Sequence, residues 1–161
     1  MQCRNNVGVS ALNSKGNPVD GPIIKVLLVD DFEPWLSYVR STLETQRQLL
    51  IVGEVTDGLR AIQRAQELQP DLVLLDLGLP KVNGIEAARR IRQCAPNAKI
   101  LFMSEVQSWE IVKEALRTGA GGYVVKADAG AELLDAVNAV LRGEKFVGSR
   151  FAGQDLADAS D

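Results

Sequence analysis

Five short apolar runs, each followed by a stretch with helical spacing, constrain this chain more than any other feature. KVLLV (25–29), LLIVGEV (49–55), DLVLLD (71–76), KILFMS (99–104) and GYVVK (122–126) are continuous in their apolar character rather than strictly alternating. A strand of that kind is covered on both faces, as in a parallel sheet flanked by helices. The intervening segments repeat apolar residues at three- and four-residue intervals: Leu36, Val39 and Leu43; Leu59, Ile62 and Ala65; Ile85, Ala88 and Ile91; Val112, Ala115 and Leu116; Leu133, Val137 and Val140. Pro34 suits a first helical turn, Gly58 and Gly84 open helices, Pro70 and Pro96 follow helix ends, and Gly119 and Gly143 close two more. Five such repeats with short connections predict a doubly wound α/β fold, a five-stranded parallel sheet in the flavodoxin-like order 2-1-3-4-5.

That architecture places its sites beyond the carboxyl ends of the strands. Asp30 and Asp31 follow strand one, Asp76 ends strand three, Ser104 ends strand four and Lys126 ends strand five. In the order above, strands one, three and four are neighbours, so three carboxylates converge in one cleft. Like charges so placed disfavour ionisation unless a cation joins them. A hard divalent ion answers that need, and Mg²⁺ fits better than Ca²⁺ because it uses one or two carboxylates, keeps several waters and leaves room for phosphate oxygens. With a metal and the Lys126 ammonium beside it, Asp76 becomes a plausible nucleophile toward phosphorus, and the Ser104 hydroxyl a donor to a phosphoryl oxygen. Taken singly, each residue has a plainer explanation. Asp-Asp and Asp76 suit turns or helix caps, Ser104 suits a cap, and Lys126 a solvated strand end. Their shared position at one edge carries the reading.

Composition narrows the remaining classes. A chain of 161 residues with 46% hydrophobic content has room for one domain with a full core. A net charge of −3 gives no field that would hold nucleic acid or an anionic membrane, and Arg89, Arg90 and Arg92 read as a solvated helix face. Cys3 and Cys94 do not suggest a disulfide framework, and no apolar run reaches the ~18 residues of a membrane span, so a cytoplasmic protein is expected. Residues 1–22 read as a flexible N-terminal leader, 23–143 as the folded domain and 144–161 as a C-terminal tail or truncated linker.

VLLVDD (26–31), LVLLDLGLPKVNGIEAARRIR (72–92), the serine of MSE (103–105) and GAGGYVVK (119–126) together resemble the receiver domain of bacterial two-component response regulators, from about residue 24 to residue 143. DLGLP, GAGGYVVK and AVLRGEKF are most similar to the subgroup that usually precedes a LuxR-type helix-turn-helix. The resemblance implies that Asp76 accepts a phosphoryl group from a histidine kinase or phosphotransfer protein and that Asp30, Asp31, Asp76 and the Gly78 carbonyl hold Mg²⁺. It further implies that Ser104 and Lys126 contact the phosphoryl group and that Tyr123 is an aromatic switch. Phosphorylation adds about 1.5 to 2 negative charges, which draw Ser104 inward and free space for Tyr123, so the β4-α4 loop and strand five are the expected moving parts. The plainer role for Tyr123 is that of a half-buried aromatic on an edge strand. Pro80 and Gly84 are expected to shape the loop after Asp76.

Three departures from the family pattern matter. Glu105 stands where relatives usually have a small residue, and it narrows or repels access by a phosphodonor. Gly78 and Val106, two residues beyond Asp76 and Ser104, have no polar side chain to hold a hydrolytic water, so slow loss of phosphate is expected. Last, GEKFVGSRFAGQDLADASD stands where relatives continue into a DNA-binding module. Two readings stay open: a single-domain receiver acting through protein contacts or as a phosphate relay, and a receiver fragment of a DNA-binding transcriptional regulator. Neither gives this chain direct nucleic-acid binding, membrane association or an enzymatic turnover beyond its own phosphorylation and slow dephosphorylation. A phosphorylation-dependent homodimer through helices one and five, or through the α4-β5-α5 face, is implied by the family. A haloacid-dehalogenase-type phosphatase needs a second acid where Gly78 stands, and a flavodoxin-like nucleotide binder needs a phosphate-cradling loop that neither GxGxxG nor GxxxxGK[ST] supplies.

Overall fold

Alternate residues of each central strand enter opposite faces of one sheet, which is why the apolar runs are continuous. Leu27 and Val29, Val73 and Leu75, Ile100 and Phe102, and Tyr123 and Val125 enter one core layer, whereas Val26, Leu28, Leu72, Leu74, Leu101, Met103 and Val124 enter the other. The computed structural model describes residues 21–159 together with Leu12 and Gly16. The expected leader, Cys3 included, falls almost wholly outside the described residues.

The elements run β1 (Ile24–Val29), α1 (Glu33–Leu43), β2 (Leu49–Val55), α2 (Gly58–Leu68), β3 (Leu72–Leu75), α3 (Gly84–Cys94), β4 (Lys99–Ser104), α4 (Trp109–Arg117), β5 (Gly122–Val125), α5 (Ala129–Leu141) and β6 (Phe146–Val147). Helices α2, α3 and α4 cover one face of the sheet and α1 and α5 the other. The described strands β1–β6 pair in parallel throughout, in the order β2-β1-β3-β4-β5-β6. The flavodoxin-like sheet therefore has six strands, not five. The additional strand has two residues, too few for any periodicity, and it is held by pairing with β5 and by the Phe146 amide donating to the Gly121 carbonyl at 3.0 Å. Strand β5 is consequently not an edge.

Helix boundaries follow local chemistry. Asp57 caps α2 by accepting from the Arg60 amide at 2.8 Å, and Asn83 caps α3 by accepting from the Glu86 amide at 3.0 Å. The glycine after each cap is a point of close approach. A methyl group on Gly58 would lie 1.8 Å from the Val82 carbonyl oxygen, and one on Gly84 would lie 2.0 Å from the Asp76 carbonyl oxygen. The core face of α2 departs from the sequence expectation. Ala61 and Ala65 are fully buried, whereas Leu59 is 41% exposed, because the helix start packs so closely on the loop at Val82 that its small residues face inward. Arg89 and Arg90 lie on the exposed face of α3 and pair with Glu86, and Arg92 donates to the Gly119 carbonyl.

Candidate functional site

The register of the central strands brings the acidic residues level. Val29 pairs with Leu75, so Asp30 and Asp76 each stand one residue past the end of adjacent strands. Backbone hydrogen bonds fix them there: the Asp30 amide donates to the Val55 carbonyl and the Asp76 amide to the Val29 carbonyl, each at 3.1 Å. Each side chain is also oriented locally, since Asp30 Oδ1 accepts from the Phe32 amide and Asp76 Oδ1 from the Leu77 amide, both at 2.9 Å. The second oxygen of each carboxylate is thereby left facing the cleft.

Lys126 opens a 3-10 turn directly after β5 and reaches back across the strand ends. Its Nζ lies 2.5 Å from Asp30 Oδ2 and 3.7 Å from Asp76 Oδ2, and 5.1 Å from the centroid of the Trp35 ring. Asp30, Asp31 and Asp76 each offer a carboxylate oxygen within 4.8 Å of the other two. Ser104 and Gly78 line the same cleft, of about 440 Å³, together with Glu105 and Val106. All the residues expected at this site except Tyr123 thus meet in one cleft.

The charge balance is unfavourable as it stands. Among the described residues these three carboxylates face one ammonium, and Asp76 is pushed up to about 6, first by burial and next by the Asp30 charge, with Lys126 opposing both. A divalent ion would relieve that excess. One oxygen from each of the three carboxylates lies within 4.8 Å of the other two, so the three stand close enough together to turn toward one hard cation. The donor set is all oxygen, as Mg²⁺ requires.

Tyr123 lies behind the cleft rather than in it. It is fully buried, its hydroxyl donates to the Val106 carbonyl at 2.8 Å, and its ring packs between Phe102 and Phe151. Burial pushes the phenol up to about 12, so it stays a neutral donor. Ser104 Oγ accepts from the Val106 amide at 3.2 Å, so the backbone N–H and C=O of Val106 each bond to a candidate switch residue.

Some contributors were not singled out from the sequence. Trp35 in the first turn of α1 carries the Lys126 ammonium over its ring, and the only signal was an aromatic five residues after Asp30. Asp57 is 3.8 Å from Lys81, a residue held at φ 68° in the loop between Gly78 and Gly84, and the Gly58 amide donates to the Pro80 carbonyl at 3.2 Å. The start of α2 thereby braces the loop after Asp76, a contact no local pattern announces.

The sequence profile of the response regulator receiver domain matches residues 26–138. Over 121 residues the chain is 37% identical to an uncharacterized transcriptional regulatory protein, YxjL, of Bacillus subtilis, and 38% identical to the response regulator protein VraR of Staphylococcus aureus. These matches cover 75% of this chain but 56% and 58% of the two relatives, so the chain spans little more than half the length of either. Among solved structures it resembles a two-component response regulator of the LuxR family from Aurantimonas sp., with a TM-score of 0.76 and 34% identity over 84% of this chain and 96% of that one. It also resembles the signal receiver domain of the putative response regulator NarL from Mycobacterium tuberculosis, with a TM-score of 0.73 and 27% identity over 77% of this chain and 100% of that one.

Proposed function

This chain belongs to the response regulator receiver family, whose members are phosphorylation-activated signalling domains, and from that membership we propose that Asp76 is its phosphoryl acceptor. The observation that carries the proposal is the meeting of three carboxylates and Lys126 in one cleft, with Asp76 Oδ2 turned toward the ammonium and Oδ1 engaged by the Leu77 amide.

In the proposed step Asp76 Oδ2 attacks the phosphorus of a phosphohistidine on a histidine kinase or phosphotransfer protein. A P–O bond forms as the P–N bond breaks, and the electron pair of the broken bond stays on the imidazole nitrogen. Lys126, 3.7 Å from Asp76, shifts from Asp30 toward the new phosphoryl oxygens, and Ser104 donates its hydroxyl to another. Mg²⁺ held by Asp30, Asp31, Asp76 and the Gly78 carbonyl would supply the positive charge that three carboxylates and a phosphoryl group require. Neither Gly78 nor Val106 places a polar side chain at the cleft, which supports slow loss of the phosphoryl group. On this reading the domain is not an enzyme acting on other molecules. Its chemistry is its own phosphorylation and slow dephosphorylation, and its output is a changed β4-α4 and β5 surface.

The relatives' greater length and their names support a second reading for the whole protein, a receiver portion of a DNA-binding transcriptional regulator. Phosphorylation-dependent pairing of two copies is proposed through α1 and α5, since residues 146–159 cover the α4-β5 part of the other candidate face. No described helix is long and apolar enough to cross a membrane, and we place the protein in the cytoplasm.

Titration with beryllofluoride in the presence of Mg²⁺, followed by tryptophan fluorescence, tests the acceptor, because Trp35 lies against Lys126. A saturable change in the parent that is lost in Asp76→Asn is expected. An equal response in both proteins would remove Asp76 from the role.

A further inference from the structure

After α5 the chain turns back and closes over the end of β5. Phe146 and Val147 pair with Gly122 and Tyr123, so the returning segment is hydrogen-bonded to the strand that carries the buried tyrosine. Phe151, only 7% exposed, then inserts between α4 and β5. Its ring meets Tyr123 edge-on, with centroids 6.3 Å apart and planes at 81°, and lies 5.5 Å from the Trp109 ring. Such an edge-to-face contact between buried rings leaves Tyr123 little room to swing outward.

The residue before Phe151 ties down both loops that flank the cleft. Arg150 makes a bidentate pair with Asp128, at 2.9 and 3.0 Å, in the turn that begins with Lys126. Its remaining nitrogen donates at 2.9 Å to Gln107, three residues beyond Ser104 in the β4-α4 loop. A planar guanidinium satisfies this geometry where a lysine would not, because it presents donors in a fixed fork. The segment is anchored on α5 as well, where Glu132 accepts from both the amide and the hydroxyl of Ser149, at 3.0 and 2.8 Å.

We propose that Phe151 and Arg150 are positioning residues for the phosphoryl-accepting site: docked between α4 and β5, they hold Tyr123 inward and fix the loops that carry Ser104 and Lys126. The proposal rests on the reading of Asp76 as acceptor. On that reading, a Ser104 drawn toward a phosphoryl group leaves the space beside it to Tyr123, so docking of residues 146–151, which holds Tyr123 inward, and occupation of the cleft favour the same arrangement. Two events that favour one arrangement strengthen each other by the same factor, whichever comes first. The segment beyond α5 is then both an aid to phosphoryl binding and a reporter of it.

Beryllofluoride titrations at saturating Mg²⁺ on the parent, Phe151→Ala, Arg150→Ala and Asp76→Asn test this. Phe151→Ala is expected to weaken beryllofluoride binding about 5- to 20-fold, the lower part of the usual range of such coupling, and Arg150→Ala about 2- to 5-fold. The affinity of both variants for Mg²⁺ alone stays at the parent value, a split that general loosening of the fold would not give. Reciprocally, beryllofluoride slows hydrogen exchange of the Phe146 amide, which bonds to Gly121, in the parent. Should Phe151→Ala fail to fold, Arg150→Ala carries the test, since that side chain is 36% exposed and its removal leaves the core intact. Parent-like beryllofluoride affinity in the folded variants, or unchanged exchange at Phe146, overturns the positioning role while leaving Asp76 as acceptor. Failure of the parent itself to bind beryllofluoride overturns the acceptor and this proposal together.

Discussion

The hydroxyl of Tyr123 donates to the carbonyl of Val106 across 2.8 Å, joining β5 to the loop that follows Ser104. Val106 joins the two proposed switch residues, since its amide donates to Ser104 while its carbonyl accepts from the tyrosine. Replacing Tyr123 with Phe keeps the ring between Phe102 and Phe151 and removes only the donor. The expected cost in urea unfolding is about 0.5 to 1.5 kcal/mol, that of one hydrogen bond, with weaker beryllofluoride binding. Unaltered beryllofluoride affinity would separate the tyrosine hydroxyl from the switch.

Asp76 makes stability depend on pH in a direction that can be worked out. Its folded value of about 6 lies above the ordinary 3.8, so the folded state binds the proton more tightly than the unfolded chain. The stability it contributes is complete below the unfolded value and is lost as pH rises through the folded one. In metal-free buffer at neutral pH the ionised carboxylate therefore opposes folding, and Asp76→Asn is expected to stabilise the protein by about 1 to 2 kcal/mol, discounted for the water that still reaches the cleft. Near pH 4 parent and variant should unfold alike, and Mg²⁺ should narrow the gap at neutral pH by stabilising only the parent. Urea unfolding across this range with and without chelator measures it; an Asn variant that is the weaker one at neutral pH without metal contradicts the crowding of charge.

Two glycines near Asp76 should answer substitution in opposite ways. A methyl group at Gly84 would strike backbone, 2.0 Å from the Asp76 carbonyl oxygen and 2.8 Å from the Leu77 Cα, whereas one at Gly78 meets nothing within 4 Å. Gly84→Ala is expected to cost about 3 kcal/mol and to disturb metal binding, because the backbone that holds Asp76 must move. Gly78→Ala should change stability by no more than about 0.5 kcal/mol. Thermal unfolding of both variants, with Mg²⁺ affinity measured alongside, distinguishes them.

Much of this arrangement was legible in the sequence because its causes are local. Strands apolar on both faces, glycines after the caps of α2 and α3, and acids placed just beyond Val29 and Leu75 all write themselves into short stretches of chain. The remainder depends on contacts between residues far apart in sequence. Gln107 and Arg150 meet across 43 positions, Lys126 and Asp30 across 96, and no spacing rule links them. Strand β6 leaves no sequence signal because two residues have no period, and Leu59 keeps helical spacing yet faces solvent because spacing reports a face without saying how closely the neighbouring loop approaches. Phe146, Val147 and Phe151, apolar residues in an otherwise polar stretch, are the sequence trace of its packing against the body.

Glu105 tests the approach of the phosphodonor. It is exposed on the rim of the cleft, beside Ser104 and Val106, and its carboxylate adds to the negative field that an anionic donor must cross. Glu105→Ala is expected to speed phosphorylation by acetyl phosphate about 2- to 5-fold at low salt, with the advantage shrinking as salt screens the charge. A rate that is unchanged at every ionic strength would assign Glu105 no part in access.

Intact-mass measurement after incubation with acetyl phosphate and Mg²⁺ bears most directly on the acceptor. One phosphoryl adduct is expected on the parent, outlasting removal of the donor by more than seconds, with none on Asp76→Asn and none when chelator replaces Mg²⁺. An adduct that forms equally on Asp76→Asn, or without divalent metal, would contradict a metal-assisted acceptor at the end of β3.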